Sequence, residues 1–142
     1  MTFTRRETLA IGAGAALTAM LPAAGFAEAH ADLEALISEF TGGAETGADG
    51  VTINAPEIAE NGNTVPIEVS APGATAIAVY AAGNPTPPVA TFRFGPMAAA
   101  QTASTRIRLA RTQDVVAVAQ LADGSFARTV ANVKVTIGGC GG

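Results

Sequence analysis

Apolar residues recur along this chain with two different periods. Leu33, Leu36, Ile37 and Phe40 fall at i, i+3, i+4 and i+7, the spacing of a single apolar stripe on a helix. The stripe predicts a short helix over residues 30–42 that packs on the body of the protein or on a partner. Asp32 and Glu34 are expected in its first turn, where the helix dipole favours acids. Gly42-Gly43 supplies a stop. Residues 42–50, Gly-Gly-Ala-Glu-Thr-Gly-Ala-Asp-Gly, read as a flexible connector.

Beyond Gly50 the period becomes two. Val65, Ile67 and Val69 alternate with polar residues, as do Ile77, Val79 and Ala81; Phe92 and Phe94 share a face, and so do Ile107 and Leu109. Val133, Val135 and Ile137 point one way while Asn132, Lys134 and Thr136 point the other. Val115 to Leu121 is apolar on both faces, which predicts a central strand or one covered by a partner. Asn61-Gly62-Asn63 is a strong tight-turn signal. Further turns are expected at Pro72-Gly73, Gly83-Asn84-Pro85, Gln113-Asp114 and Asp123-Gly124. Pro66 lies inside a strand pattern and predicts an edge or a bulge there. About seven short strands at this spacing argue for an all-β fold, an immunoglobulin-like antiparallel β-sandwich over residues 50–137. A β-barrel is the competing architecture. No repeat of fixed period and no second domain are evident.

The first 27 residues follow neither period. Arg5-Arg6 precede a weakly apolar run from Leu9 to Ala24, broken by Gly12 and Gly14, then Pro22 and two small-x-small sites, Gly25-Phe26-Ala27 and Ala27-Glu28-Ala29. This describes a cleaved export signal, and the paired arginines point to the twin-arginine route into the periplasm. The run is shorter than the roughly 20 residues a spanning helix needs, so no membrane association is expected after the signal is removed.

Composition narrows the function classes. The 142 residues carry a net charge of −4 and no basic stripe, so a nucleic-acid partner is disfavoured. One cysteine excludes an intrachain disulfide and a zinc site of several thiolates. One histidine, His30, leaves little for general acid–base work, and Ser38, Ser70, Ser104 and Ser125 have no histidine nearby in sequence. No Gly-x-Ser-x-Gly, His-Glu-x-x-His, Cys-x-x-Cys or phosphate loop occurs. No catalytic residue, bound cofactor or metal is therefore expected. Glu57, Glu60 and Glu68, and likewise Arg106, Arg108 and Arg111, read as solvated faces that could also serve docking.

The chemistry concentrates at the C-terminus, Ile137-Gly138-Gly139-Cys140-Gly141-Gly142. A lone cysteine is ordinarily a small buried hydrophobe. Here four glycines offer no side chains to pack on the sulfur, and glycine has the most conformational freedom to lose. Gly138, Gly139, Gly141 and Gly142 are expected to form a flexible, thin arm. From Ile137 to Cys140 its reach is about 10 Å plus the side chain. Such an arm can place a sulfur in a narrow channel of another protein. Nothing near it in sequence lowers the thiol pKa, so activation would come from the receiving enzyme.

The paired arginines, the block Asn54-Ala55-Pro56-Glu57-Ile58-Ala59-Glu60-Asn61-Gly62-Asn63-Thr64-Val65-Pro66 and the terminal Gly-Gly-Cys-Gly-Gly together resemble the SoxY family of the thiosulfate-oxidising Sox system. The resemblance implies a non-catalytic sulfur carrier, with Cys140 as the covalent attachment point. It implies a heterodimer with SoxZ and transient visits to SoxAX, SoxB and, where present, the sulfane dehydrogenase SoxCD. SoxAX would join thiosulfate to the thiol as Cys-S-S-sulfonate, and SoxB would release sulfate to leave a persulfide. SoxCD would then oxidise the remaining sulfane sulfur, and a second hydrolysis would free the thiol. Two other readings stay open: a thiol redox sensor or donor, and a structural module joined through an intermolecular Cys140 disulfide.

Overall fold

A computed structural model describes residues 24–139. In chain order the elements are α1 (Ala24–Thr41), β1 (Thr46–Gly47), β2 (Thr52–Asn54), β3 (Ile58–Asn61), β4 (Val65–Ser70), β5 (Ala74–Ala81), β6 (Pro88–Arg93), β7 (Thr102–Ile107), β8 (Gln113–Leu121) and β9 (Phe126–Ile137). They form an immunoglobulin-like β-sandwich. The larger sheet has the order β1-β9-β8-β5-β6 with β3 also on β9, and the smaller one has the order β2-β4-β7. All pairings are antiparallel except those of β1 and β3, which run parallel to opposite ends of β9.

Alternation along the strands builds the core. Val65, Ile67 and Val69 of β4, Ile77 and Val79 of β5, Ile107 and Leu109 around the end of β7, and Val115, Ala117 and Ala119 of β8 meet between the sheets. The second apolar face of β8 is covered by α1. Leu33 and Ile37 pack on Ala78, Tyr80, Val116 and Val118, with Leu36, Phe40 and Phe126 at the margin. The result is three layers: helix, large sheet, small sheet.

Several local expectations change in the fold. Within the described residues α1 already runs from Ala24, so Asp32 and Glu34 lie well inside it and not in its first turn. Glu34 instead pairs with Arg128 of β9 at 2.8 Å. Gly42 and Gly43 end the helix as expected, at φ +67° and +84°, with the Gly43 N–H donating to Ser38 O. The connector after them contributes β1. Gln113 and Asp114 are not a turn but the start of β8, and Gln113 is buried. Asn61-Gly62-Asn63 does turn the chain, yet β3 and β4 do not pair; the turn carries the chain from one sheet to the other. Pro66 sits in a strand flanked on both sides, but β2 reaches only as far as Glu68. At Pro66 itself, β4 has a neighbour only in β7, which is the local edge that a residue without an N–H requires.

Candidate functional site

The site is built where β9 ends. Ile137 is the last strand residue, 66% exposed, and continues the alternation begun by buried Val133 without reaching the core. Two other segments converge on this end: the Asn61–Asn63 turn after β3, and the loop from Arg108 to Thr112 between β7 and β8. Three backbone hydrogen bonds join them. The Gly62 N–H donates to Ile137 O at 2.7 Å, the Leu109 N–H donates to Gly62 O at 2.8 Å, and the Gly139 N–H donates to Leu109 O at 2.9 Å.

The first two residues of the expected arm, Gly138 and Gly139, pass close to this frame. Gly139 is buried. A β-carbon on Gly139 would lie 2.7 Å from Gly62 O and 3.2 Å from Asn63 N. One on Gly138 would collide with Ala110 O, and one on Gly62 would strike Leu109 O and come within 2.8 Å of Gly139 N. None of these three glycines has positive φ; among the described residues those that do are Gly42, Gly43, Gly50, Gly73 and Gly124. The need for glycine at the root of the arm is thus one of space, because main chains pass closer than any Cβ allows.

The loop that receives Gly139 is itself fixed from below. The Leu109 side chain is fully buried in the core. On either side of it, Asn84 Nδ2 donates to Arg108 O at 2.8 Å and Asn84 Oδ1 accepts from the Ala110 N–H at 2.9 Å. Gln113 Nε2 donates to Asn84 Oδ1 at 2.8 Å and to Arg111 O at 3.0 Å, and Gln113 Oε1 accepts from the Gly83 N–H at 2.8 Å. Asn84 and Gln113 are both buried, and no buried side-chain polar atom among the described residues lacks a partner. A satisfied buried network of this kind rigidifies the backbone it holds. Thr112 completes the seat: its Oγ1 accepts from the Val135 N–H at 2.9 Å, tying the loop to β9.

The remaining sequence candidates divide clearly. Cys140, Gly141, Gly142, Arg5 and Arg6 lie outside the described residues. His30 falls within α1. Ser104 donates to Glu68, Ser125 to Asp123, and Ser70 shares a hydrogen bond with Thr102. Glu57, Glu60, Glu68, Arg106, Arg108 and Arg111 are exposed. Among the described residues no group of three or more His, Cys, Asp or Glu could hold a metal ion, and no helix is long and apolar enough to cross a membrane. The residues that reading the chain missed are Leu109, Asn84 and Gln113. Their role comes from neighbours distant in sequence, and the one local signal was an Asn between Gly83 and Pro85 in a turn.

These features define a class: a small β-sandwich whose last strand passes through a backbone-lined exit just before a glycine-flanked cysteine. A family model described as sulfur oxidation protein SoxY matches residues 37–140, and the chain belongs to the SoxY family. It is 38% identical to the sulfur carrier protein SoxY from Chlorobium limicola f thiosulfatophilum, over 76% of this chain and 99% of that one, with a TM-score of 0.67. Superoxide reductase (neelaredoxin) from Ignicoccus hospitalis shares the fold at 20% identity and a TM-score of 0.53, over 61% of this chain and 80% of that one. A hypothetical protein from Pyrococcus horikoshii does so at 15% identity and a TM-score of 0.51, over 68% and 98%. Comparison with curated proteins gave no match.

Proposed function

We propose that this chain is a carrier of sulfur intermediates, bound covalently to Cys140, in periplasmic thiosulfate oxidation. The observation that carries the reading is the exit itself. The fold uses three glycines and a braced loop to deliver the chain to a single point, one residue before its only cysteine. The family membership and the 38% identity to a sulfur carrier protein support the same reading.

In the proposed cycle a haem enzyme (SoxAX) removes two electrons as the Cys140 thiolate sulfur bonds to the outer sulfur of thiosulfate. The thiol proton is released and Cys-S-S-sulfonate remains. Hydrolysis by SoxB breaks the bond between the sulfane sulfur and the sulfonate. Water supplies the fourth oxygen of sulfate and the proton of the remaining persulfide. Where SoxCD is present, it removes six electrons from that sulfur, with three waters supplying the oxygens of the resulting Cys-S-sulfonate and protons released. A second hydrolysis then releases sulfate and restores the thiol. This chain's part is to hold the sulfur and present it; the reactions belong to the partners. SoxZ is the proposed permanent partner, and twin-arginine export the proposed route to the periplasm.

The test is intact mass measurement after incubating the chain and SoxZ with thiosulfate and the haem enzyme. The expected outcome is a thiosulfonate adduct confined to Cys140 and lost in Cys140→Ser. A plain disulfide dimer as the only product under every condition would favour the structural-module reading.

A further inference from the structure

We propose that Gly62 is a positioning residue for the arm: with Gly138 and Gly139 it forms a backbone clasp that moves the arm's pivot from the end of β9 to Gly139. The consequence for delivery rests on the carrier reading; the clasp does not. If the arm pivoted at Ile137, Cys140 would sweep a radius of about 10 Å, whereas from Gly139 it sweeps about 3.5 Å plus its side chain. The two glycines before Cys140 then serve close packing and not reach. An enzyme receiving the sulfur must come up against the rim formed by the Asn61–Asn63 turn and the Arg108–Thr112 loop.

Three independent features support the clasp. Each of its three hydrogen bonds joins a different pair of segments, so the end of β9, the turn and the loop close a circuit of Ile137 O, Gly62, Leu109 and Gly139 N. Each glycine sits where a β-carbon would meet backbone, which cannot swing aside as a side-chain tip can. The floor of the clasp, Leu109, is held by its buried side chain and by Asn84 on both flanking peptides.

Gly139→Ala separates a clasp from a plain tether, because the two give opposite signs. In a free tether, exchanging glycine for alanine removes conformational freedom and slows whatever is attached. In a clasp, the added Cβ expels Gly139 from Gly62 O and speeds it. The full chain has a single cysteine, so a nitroxide label at Cys140 needs no other change. The expected result is a larger fast-tumbling fraction in the Gly139→Ala electron paramagnetic resonance spectrum. Gly141→Ala should leave the spectrum as in the parent. Residue 139 lies beyond β9, so the thermal midpoint should hold. In the parent, the Gly139 amide should exchange at least about fivefold more slowly than in Gly62→Ala, the ratio that one net hydrogen bond supplies. A Gly139→Ala label that tumbles no faster than the parent, or a parent Gly139 amide without protection, overturns the clasp. Failure of sulfur adducts to form on Cys140, with these results intact, would count against the carrier reading alone.

Discussion

The two ends of β9 are anchored by different physics. At its start, Phe126 meets Phe40 of the helix edge to face, with ring centroids 6.0 Å apart, and Arg128 reaches Glu34. At its finish, Ile137 and Gly139 are held by main-chain groups alone. The first anchorage uses side chains, tolerates volume-conserving exchange and responds to charge and pH. The second closes through main-chain bonds and uses no titratable group; it can be broken by adding atoms, by moving its floor or by removing the Thr112 hydroxyl that ties the loop to β9. The two anchorages share no hydrogen bond, ion pair or ring contact among the described residues.

The largest expected effect comes from the floor. Leu109 is fully buried and its peptide groups are two corners of the clasp. Leu109→Ala should cost about 2–5 kcal/mol by removing core contacts and leaving a cavity. It should also deprotect the Gly139 amide more than amides in the middle of α1. Equal deprotection at both places, measured by hydrogen exchange, would mean that the two anchorages are not separate.

Asn84→Ala comes next. It removes the donor to Arg108 O and the acceptor for the Ala110 N–H and Gln113 Nε2, leaving buried polar groups unpaired at about 1–3 kcal/mol. Chemical denaturation should show this loss, with the Ala110 amide the most affected. An unchanged midpoint would show that Leu109 packing alone sets the loop.

That contrast also explains what could be read from the chain. Side-chain anchorage leaves a period: the Leu33–Phe40 stripe and the alternation of β4, β5 and β8 are visible because burial selects every third or fourth, or every second, residue. The doubly apolar run at Val115 to Leu121 leaves open a central strand or a partner-covered one; β8 is central in its sheet, and α1 covers its second face. Backbone anchorage leaves no period. Gly62 looks like any turn glycine, and its closest neighbours, Leu109 and Gly139, are 47 and 77 positions away by their numbers. The same blindness made Gln113 read as a turn residue, since its polar side chain hid a buried partner in Asn84. At Gly138 and Gly139 the glycine run alone carries no sign of the close backbone contacts that both make.

The ion pair at the start of β9 should matter little. The Arg128 and Glu34 side chains are 27% and 59% exposed, so Arg128→Ala is expected to cost about 0–1 kcal/mol and less in high salt. A loss beyond about 2 kcal/mol in thermal or denaturant unfolding would show that charge, and not the apolar stripe, seats the helix.

The smallest effect is spectroscopic, and it probes the same end. Tyr80 is the chain's one tyrosine and lies under α1. Burial, and then the negative charge of Glu39, push its phenol above the usual value. Because the folded state holds this proton more tightly than the unfolded chain does, the stabilisation is fully present below about pH 10. It is lost as pH rises through the raised pKa. Ultraviolet titration should therefore give a midpoint above that of a free phenol, and Glu39→Gln should lower it only part of the way, since burial is the larger cause. Alkaline titration should loosen α1 while the Gly139 amide, corrected for base-catalysed exchange, keeps its protection factor. A simultaneous fall of both would show that the helix and the clasp form one cooperative unit.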